Sequence, residues 1–147
     1  MAPTIHASAV LVGARALLIQ GPPGSGKSRL VLALLQAADR GALRFVRLVA
    51  DDRVEVEATH GRLLLRPAPA LAGLLEVRGL GIRRLPHEPA AVAAAVVELG
   101  QARTDRLPEP AQASIAGVLL PRLSIAAAEA PLPLVLAYLG TTDALAK

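Results

Sequence analysis

Eight residues, Gly21-Pro22-Pro23-Gly24-Ser25-Gly26-Lys27-Ser28, fit G-x-x-x-x-G-K-[ST], the pattern of a loop that captures phosphate. Gly21, Gly24 and Gly26 lack a Cβ, so the backbone can curl around an anion with its N–H groups pointing inward, at the positive end of the helix that follows. Lys27 is spaced to reach β- and γ-phosphates, and the Ser28 hydroxyl to hold Mg²⁺. Cation usage agrees: Lys27 is the only lysine besides the terminal Lys147, in a chain that otherwise relies on arginine, and this loop needs a compact point charge. A second group is Asp51-Asp52. Carboxylates that close an apolar run after the loop and its helix are where such proteins organise Mg²⁺ or activate a hydroxyl; the alternative is a polar turn. A third is Glu76 with Arg78, set among apolar residues and followed by Gly79 and Gly81. If buried they need partners, which metal-phosphate chemistry would supply. Otherwise they form a local pair on an edge strand.

These groups need elements to hold them. His6 to Val12 reads as a strand, Gly13-Ala14 as a turn and Arg15 to Gln20 as a second strand that feeds the loop. Arg29 to Ala38 reads as a helix, apolar on most sides, with Gly41 as its C′ residue. Phe45 to Ala50 is a β-type run. Alternation along it puts Asp51 on the face of Phe45, Arg47 and Val49 and Asp52 on that of Val46, Leu48 and Ala50, so only one of them can face the phosphates. Arg53 to Ala58 and Arg62 to Arg66 make a hairpin about Thr59-His60-Gly61, which leaves His60 in solvent. Pro67-Ala68-Pro69 interrupts the chain, and Pro86 to Pro89 is a rigid loop. Ala90 to Leu99 fits helix or strand, with Gly100 closing it. Arg103 to Pro110 is polar and exposed. Ile115 to Leu120 and Leu123 to Ile125 read as strand, and Pro133 to Leu139 with Ala144 to Lys147 as a terminal helix.

The bulk composition narrows the classes. The 147 residues, 53% hydrophobic and 19% charged, suit one folded domain. The absence of cysteine excludes disulfides and thiolate metal sites. No basic leader followed by an apolar stretch opens the chain, and no run of apolar residues is long enough for a span, so a cytoplasmic protein without membrane contact is expected. A net charge of +4, carried by scattered arginines, fits phosphate ligands or an acidic partner. Nucleic acid is disfavoured, because Phe45 and Tyr138 are the only aromatics on which bases could stack.

Four segments taken in order resemble the catalytic domain of the HPr kinase/phosphorylase family: His6 before the hairpin, Gly21 to Ser28, Leu48-Val49-Ala50-Asp51-Asp52-Arg53, and Leu75-Glu76-Val77-Arg78-Gly79-Leu80-Gly81-Ile82. The last is the discriminating piece, since the phosphate loop is shared with many families. The chain is similar to a short form made of the C-terminal catalytic domain alone, from about Thr4 to Ile125. That resemblance implies an α/β fold with the loop in a mixed central sheet flanked by helices, akin to phosphoenolpyruvate carboxykinase. It implies a serine kinase that uses ATP and Mg²⁺ on HPr, the phosphocarrier of the sugar phosphotransferase system, and a homo-oligomer, hexameric in the family.

By the same resemblance, Lys27 and Ser28 bind phosphate and Mg²⁺, Glu76 is a second Mg²⁺ ligand and His6 is a catalytic-site histidine. The aspartate pair supplies the general base, Asp52 before Asp51. Arg78, Arg83 and Arg84 would meet an acidic or phosphorylated face of the partner. The sequence departs from the family at Ala7, usually glycine, and at Pro121-Arg122-Leu123-Ser124, where longer members carry a Pro-Gly-Arg-Asn stretch that serves phosphorolysis. The kinase direction is therefore expected and the phosphorylase direction is not. Two other classes share the loop: a kinase of a small-molecule hydroxyl, and a nucleotide-binding sensor without fast chemistry.

Overall fold

The computed structural model describes residues 3–142. The stretch from His6 to Val12 is not one strand. It divides at Ala7 into β1 (Thr4–His6) and β2 (Ser8–Val12). β1 pairs antiparallel with β5 (Arg53–Thr59), whereas β2 pairs antiparallel with β3 (Arg15–Gln20) and β4 (Val46–Ala50). Ala7, where the chain crosses between the two ladders, is fully buried in the core, which favours a small side chain there. His6 consequently lies opposite Arg53, next in sequence to Asp52.

β3 runs into the phosphate loop, and α1 (Lys27–Asp39) leads out of it. Gly41, at φ +83, ends α1 as the sequence indicates: its N–H donates to Ala38 O and that of Ala42 to Ala37 O, the paired bonds of a Schellman cap. β5 and β6 (Arg62–Pro67) form the expected hairpin, with His60 and Gly61 both at positive φ. A 3-10 turn at Pro69–Leu71 precedes a separate two-stranded hairpin, β7 (Leu74–Val77) and β8 (Gly81–Arg84). Glu76 and Arg78 are exposed there, so burial does not oblige them to find partners.

The segment left between helix and strand is β9 (Ala91–Gln101), which runs through Gly100 instead of ending before it. It lies between β3 and β11 (Val118–Ala126), parallel to both, while its first residues pair antiparallel with β6. A strand covered on both faces reads as an unbroken apolar run, which explains its lack of periodicity. Leu17 and Ile19 pack with α1 and with Ala95, Val97 and Leu99, whereas Ala16 and Leu18 pack on the opposite face with Ala93 and Val96. Ile115 to Leu120 is also not one strand. β10 (Ala111–Ile115) turns back into β11 through Ala116 and Gly117, both at positive φ. The final helix α2 (Pro131–Gly140) starts two residues earlier than expected, a proline being well tolerated in the first turn. Ala144 to Lys147 fall outside the described residues.

The result is a nine-stranded mixed sheet with α1 and α2 on one face. Among the described residues no helix is long and apolar enough to cross a membrane.

Candidate active site

The phosphate loop is built by close approach. A Cβ on Gly21 would lie 2.5 Å from Ser25 Oγ and 3.1 Å from Leu99, so a side chain here would crowd the point where the chain leaves β3. Gly24 and Gly26 adopt φ +79 and +100, which suit glycine far better than any other residue. Gly26 caps α1 without any side-chain hydrogen bond, and Leu30 N–H donates to its carbonyl at 2.9 Å. The first-turn amides of α1 thus meet no capping side chain, the arrangement that attracts an anion. The Lys27 ammonium folds over the loop and donates to Gly21 O at 2.9 Å and Pro22 O at 3.2 Å. Pro22, Pro23 and Gly24 form the exposed crest, and Ser25 N–H donates to Pro22 O at 3.1 Å.

Asp51 is the polar centre beneath the loop. It is buried, and its Oδ1 accepts from Ser28 Oγ at 2.7 Å and from Ser8 Oγ at 2.6 Å. Its Oδ2 lies 2.9 Å from Ser28 Oγ and accepts from the Glu76 N–H at 3.3 Å. Simple alternation would have put Asp51 on the face of Phe45, Arg47 and Val49, and the structure corrects that. Ala9 pairs with Ala50 but Val10 with Leu48, which leaves Val49 as the extra residue of a β-bulge. Val49 and Ala50 then share one face of the sheet. The parity beyond them is reversed, and Asp51 joins the face of Val46 and Leu48, where α1 packs.

Asp52 turns the other way. Its φ is +70, and Arg53 N–H donates to Asp51 O at 2.8 Å across it. This is a γ-turn of the rarer, strained hand. The carboxylate emerges in solvent with its Oδ1 3.7 Å from His6 Nδ1, the two side chains being 67% and 64% exposed. His6 and Asp52, from different strands, are therefore neighbours. Glu76 joins the cluster through its backbone, and its side chain is exposed.

Ser8 is the residue that sequence reasoning missed. The available signal was a lone hydroxyl in an otherwise apolar buried strand, which has to find a partner.

Among the described residues no group of three or more His, Asp and Glu side chains could hold a metal alone. The Ser28 hydroxyl, Asp51 carboxylate and Glu76 carboxylate are nevertheless oxygen donors of the kind Mg²⁺ takes, and that ion keeps water and phosphate oxygens in its shell instead of a protein cage. The donor set fits a Mg²⁺-phosphate ligand. The Ser25 Oγ within the loop, buried and with no hydrogen-bond partner, fits one as well.

Comparison with known proteins extends this picture. The HPr kinase/phosphorylase of Streptococcus thermophilus is 44% identical over 80 residues, 54% of this chain and 24% of that protein. That of Clostridium tetani is 39% identical over 82 residues, 56% of this chain and 25% of that protein. The chain thus matches about a quarter of the length of these relatives. The HPr(Ser) kinase/phosphatase of Coxiella burnetii shares the fold, with a TM-score of 0.76 over 94% of this chain and 93% of that one at 23% identity. The mixed sheet expected from the resemblance is the one observed. Residues 1–87 match the HPr Serine kinase C-terminal domain family; since that span holds the loop, both aspartates, His6, Ser8 and the β7–β8 hairpin, the chain belongs to this family.

Proposed function

We propose that the chain is a serine kinase that uses ATP and Mg²⁺ to phosphorylate HPr. The observation that carries the reading is the contact of Ser28 with Asp51 at 2.7 Å directly beneath the phosphate loop, beside an exposed carboxylate, Asp52, able to serve an incoming hydroxyl. The loop amides and Lys27 hold the phosphates. Asp52 takes the proton of the acceptor serine while its oxygen attacks the γ-phosphorus. The bond from γ-phosphorus to the β–γ bridging oxygen breaks, ADP leaves with the electron pair, and the proton passes from Asp52 to solvent. His6 orients the Asp52 carboxylate. Ser28, Asp51 and Glu76 would hold Mg²⁺, which when bound neutralises charge on the β- and γ-phosphates.

A protein acceptor is favoured over a small metabolite by the surface beside Glu76, where Leu80 and Ile82 are 63% and 64% exposed and flanked by the exposed Arg78, Arg83 and Arg84. Apolar groups ringed by cations suit a docked protein face better than an enclosed solute. The reading includes action in the cytoplasm and a homo-oligomer, hexameric as in the family, which sedimentation would test.

Transfer of labelled γ-phosphate from ATP to purified HPr is the experiment. Wild type labels HPr, and Lys27→Ala lowers the rate about 100-fold or more by removing charge stabilisation at the γ-phosphoryl group. No transfer by wild type, or undiminished transfer by Lys27→Ala, sinks the proposal.

A further inference from the structure

The sheet has a second opening, at the end away from the phosphate loop. On the edge of β9 remote from β3, β6 pairs at Ala91 and Val92, whereas β11 joins only from Val96 onward. The two strands part between those points, and the fork holds a cleft of about 270 Å³ bordered by the β2–β3 turn. We infer that this cleft is a binding site for a small carboxylic acid with an apolar body. The inference concerns a place separate from the phosphate loop and does not depend on the kinase reading. None of Gly21 to Ser28, nor His6, Asp51, Asp52 or Glu76, lines the cleft. β3 begins at Arg15, which does line it, and ends at Gln20, which precedes the loop. At about 3.3 Å per residue that strand holds its two ends about 17 Å apart, so both places can be filled at once.

The charge comes from Arg15 and Arg62. No aspartate or glutamate lines the cleft, and among the described residues neither arginine is held in an ion pair, in contrast to Arg47 with Glu88 and Arg66 with Glu57. Each stands at the start of a strand, just after a turn with a positive-φ glycine, Gly13 or Gly61. A guanidinium receives a carboxylate through two parallel N–H···O bonds. Two unpaired guanidinium groups beside one cleft with no acid of its own are the complement of an anion.

The remaining lining restricts what that anion carries. Leu63, Ala93 and Leu120 are buried, while Leu119 is 63% exposed. A ligand body laid against them takes apolar surface out of water. No serine, threonine, asparagine, glutamine, histidine or lysine lines the cleft. Sugar hydroxyls would therefore be buried without partners, and a phosphate group, with its higher charge and three strong acceptor oxygens, would find donors on two side chains only. One carboxylate on a hydrocarbon body is what these residues satisfy. The volume, near the lower end of ligand pockets at about 300–1,000 Å³, limits that body to one ring or a short chain.

The test is a titration of the full chain with phenylacetate, followed by amide chemical shifts in ¹⁵N NMR. Three comparison ligands divide its chemistry: benzyl alcohol has the ring without the carboxylate, acetate the carboxylate without the ring, and inorganic phosphate a different anion. Phenylacetate is expected to saturate with a Kd of about 1 mM or tighter and each comparison ligand to bind at least about tenfold more weakly. The amides of Ala14, Gly61, Val92 and Leu119 should move, and those of Gly24 and Gly26 should not. Two variants change exposed positions only: the double substitution Arg15→Gln with Arg62→Gln, and Leu119→Glu, which sets a carboxylate beside the site. Both should keep a melting temperature within about 2 °C of wild type and bind phenylacetate at least about tenfold more weakly. Failure of phenylacetate to saturate, shifts centred on Gly21 to Ser28 instead, or undiminished binding by both variants overturns the inference. Benzyl alcohol or phosphate binding as tightly as phenylacetate overturns the assignment to a carboxylic acid.

Discussion

Replacing Ser8 with alanine tests whether Asp51 is held in place from behind. Ser8 is fully buried in β2 and donates to Asp51 Oδ1 at 2.6 Å, the same oxygen that receives Ser28 Oγ at 2.7 Å. Ala7 and Ala9, on either side of Ser8, are fully buried in the apolar core, so no other side chain of this strand can take over the bond. A hydrogen bond to a charged group contributes about 1.5–3 kcal/mol. In a chain of this size about 1 kcal/mol moves the melting temperature by about 2–4 °C, so Ser8→Ala should melt about 3–12 °C lower. Stability alone would not distinguish a positioning role from a packing role. The second readout is metal affinity, since loosening a group that orients a metal ligand costs about 10–100-fold. Mn²⁺ titration followed by EPR at fixed nucleotide would measure it. Ser8→Ala with a metal midpoint within about twofold of wild type would refute the reasoning whatever the melting temperature, since positioning is worth far more.

Two further substitutions separate the parts of the site. Asp52→Asn should slow phosphoryl transfer to HPr by about 100-fold or more, the scale of a lost general base. Its nucleotide affinity and metal midpoint should stay near wild type, because Asp52 touches neither Ser28 nor the loop; a shifted metal midpoint would contradict that division. Gly21→Ala should destabilise the protein by about 1–3 kcal/mol, as overpacking does, because the new Cβ would meet Ser25 Oγ at 2.5 Å and the Leu99 carbonyl at 3.1 Å. Melting and ATP binding would read it, and a variant unchanged in both would show that the loop exit is less tightly packed than described.

Much of this was legible in the sequence wherever local chemistry decides the outcome. Glycines at fixed spacing specify the loop, Gly41 ends α1, and His60-Gly61 turns the β5–β6 hairpin, each by a conformational demand that one or two residues satisfy. What remained hidden depends on distant pairing. Ala91 to Gln101 is a strand because β3 and β11 flank it, and nothing in its alanines and valines says so. The bulge at Val49 exists only in register with β2, so parity counted along one strand put Asp51 on the wrong face. The turn at Ala116-Gly117 escaped notice because alanine rarely adopts positive φ. Ser8 became a functional candidate only once Asp51 was seen beside it, 43 positions away.

Three irregularities meet where the two ladders part, and together they determine which aspartate is buried and which is exposed. In an unbroken strand His6 and Ser8 would point to the same face. The break at Ala7 separates them, so that His6 pairs into the β5 ladder and reaches solvent while Ser8 enters the β3 and β4 ladder and the core. On the partner segment the bulge at Val49 turns Asp51 inward, and the left-handed turn at Asp52 carries the next carboxylate outward. The inward serine meets the inward aspartate at 2.6 Å, and the outward histidine approaches the outward aspartate at 3.7 Å. Backbone strain of about 1–3 kcal/mol is typical of a residue held in such a turn, and the turn leaves Asp51 shielded and Asp52 exposed, the division that the proposed metal and proton-transfer roles require.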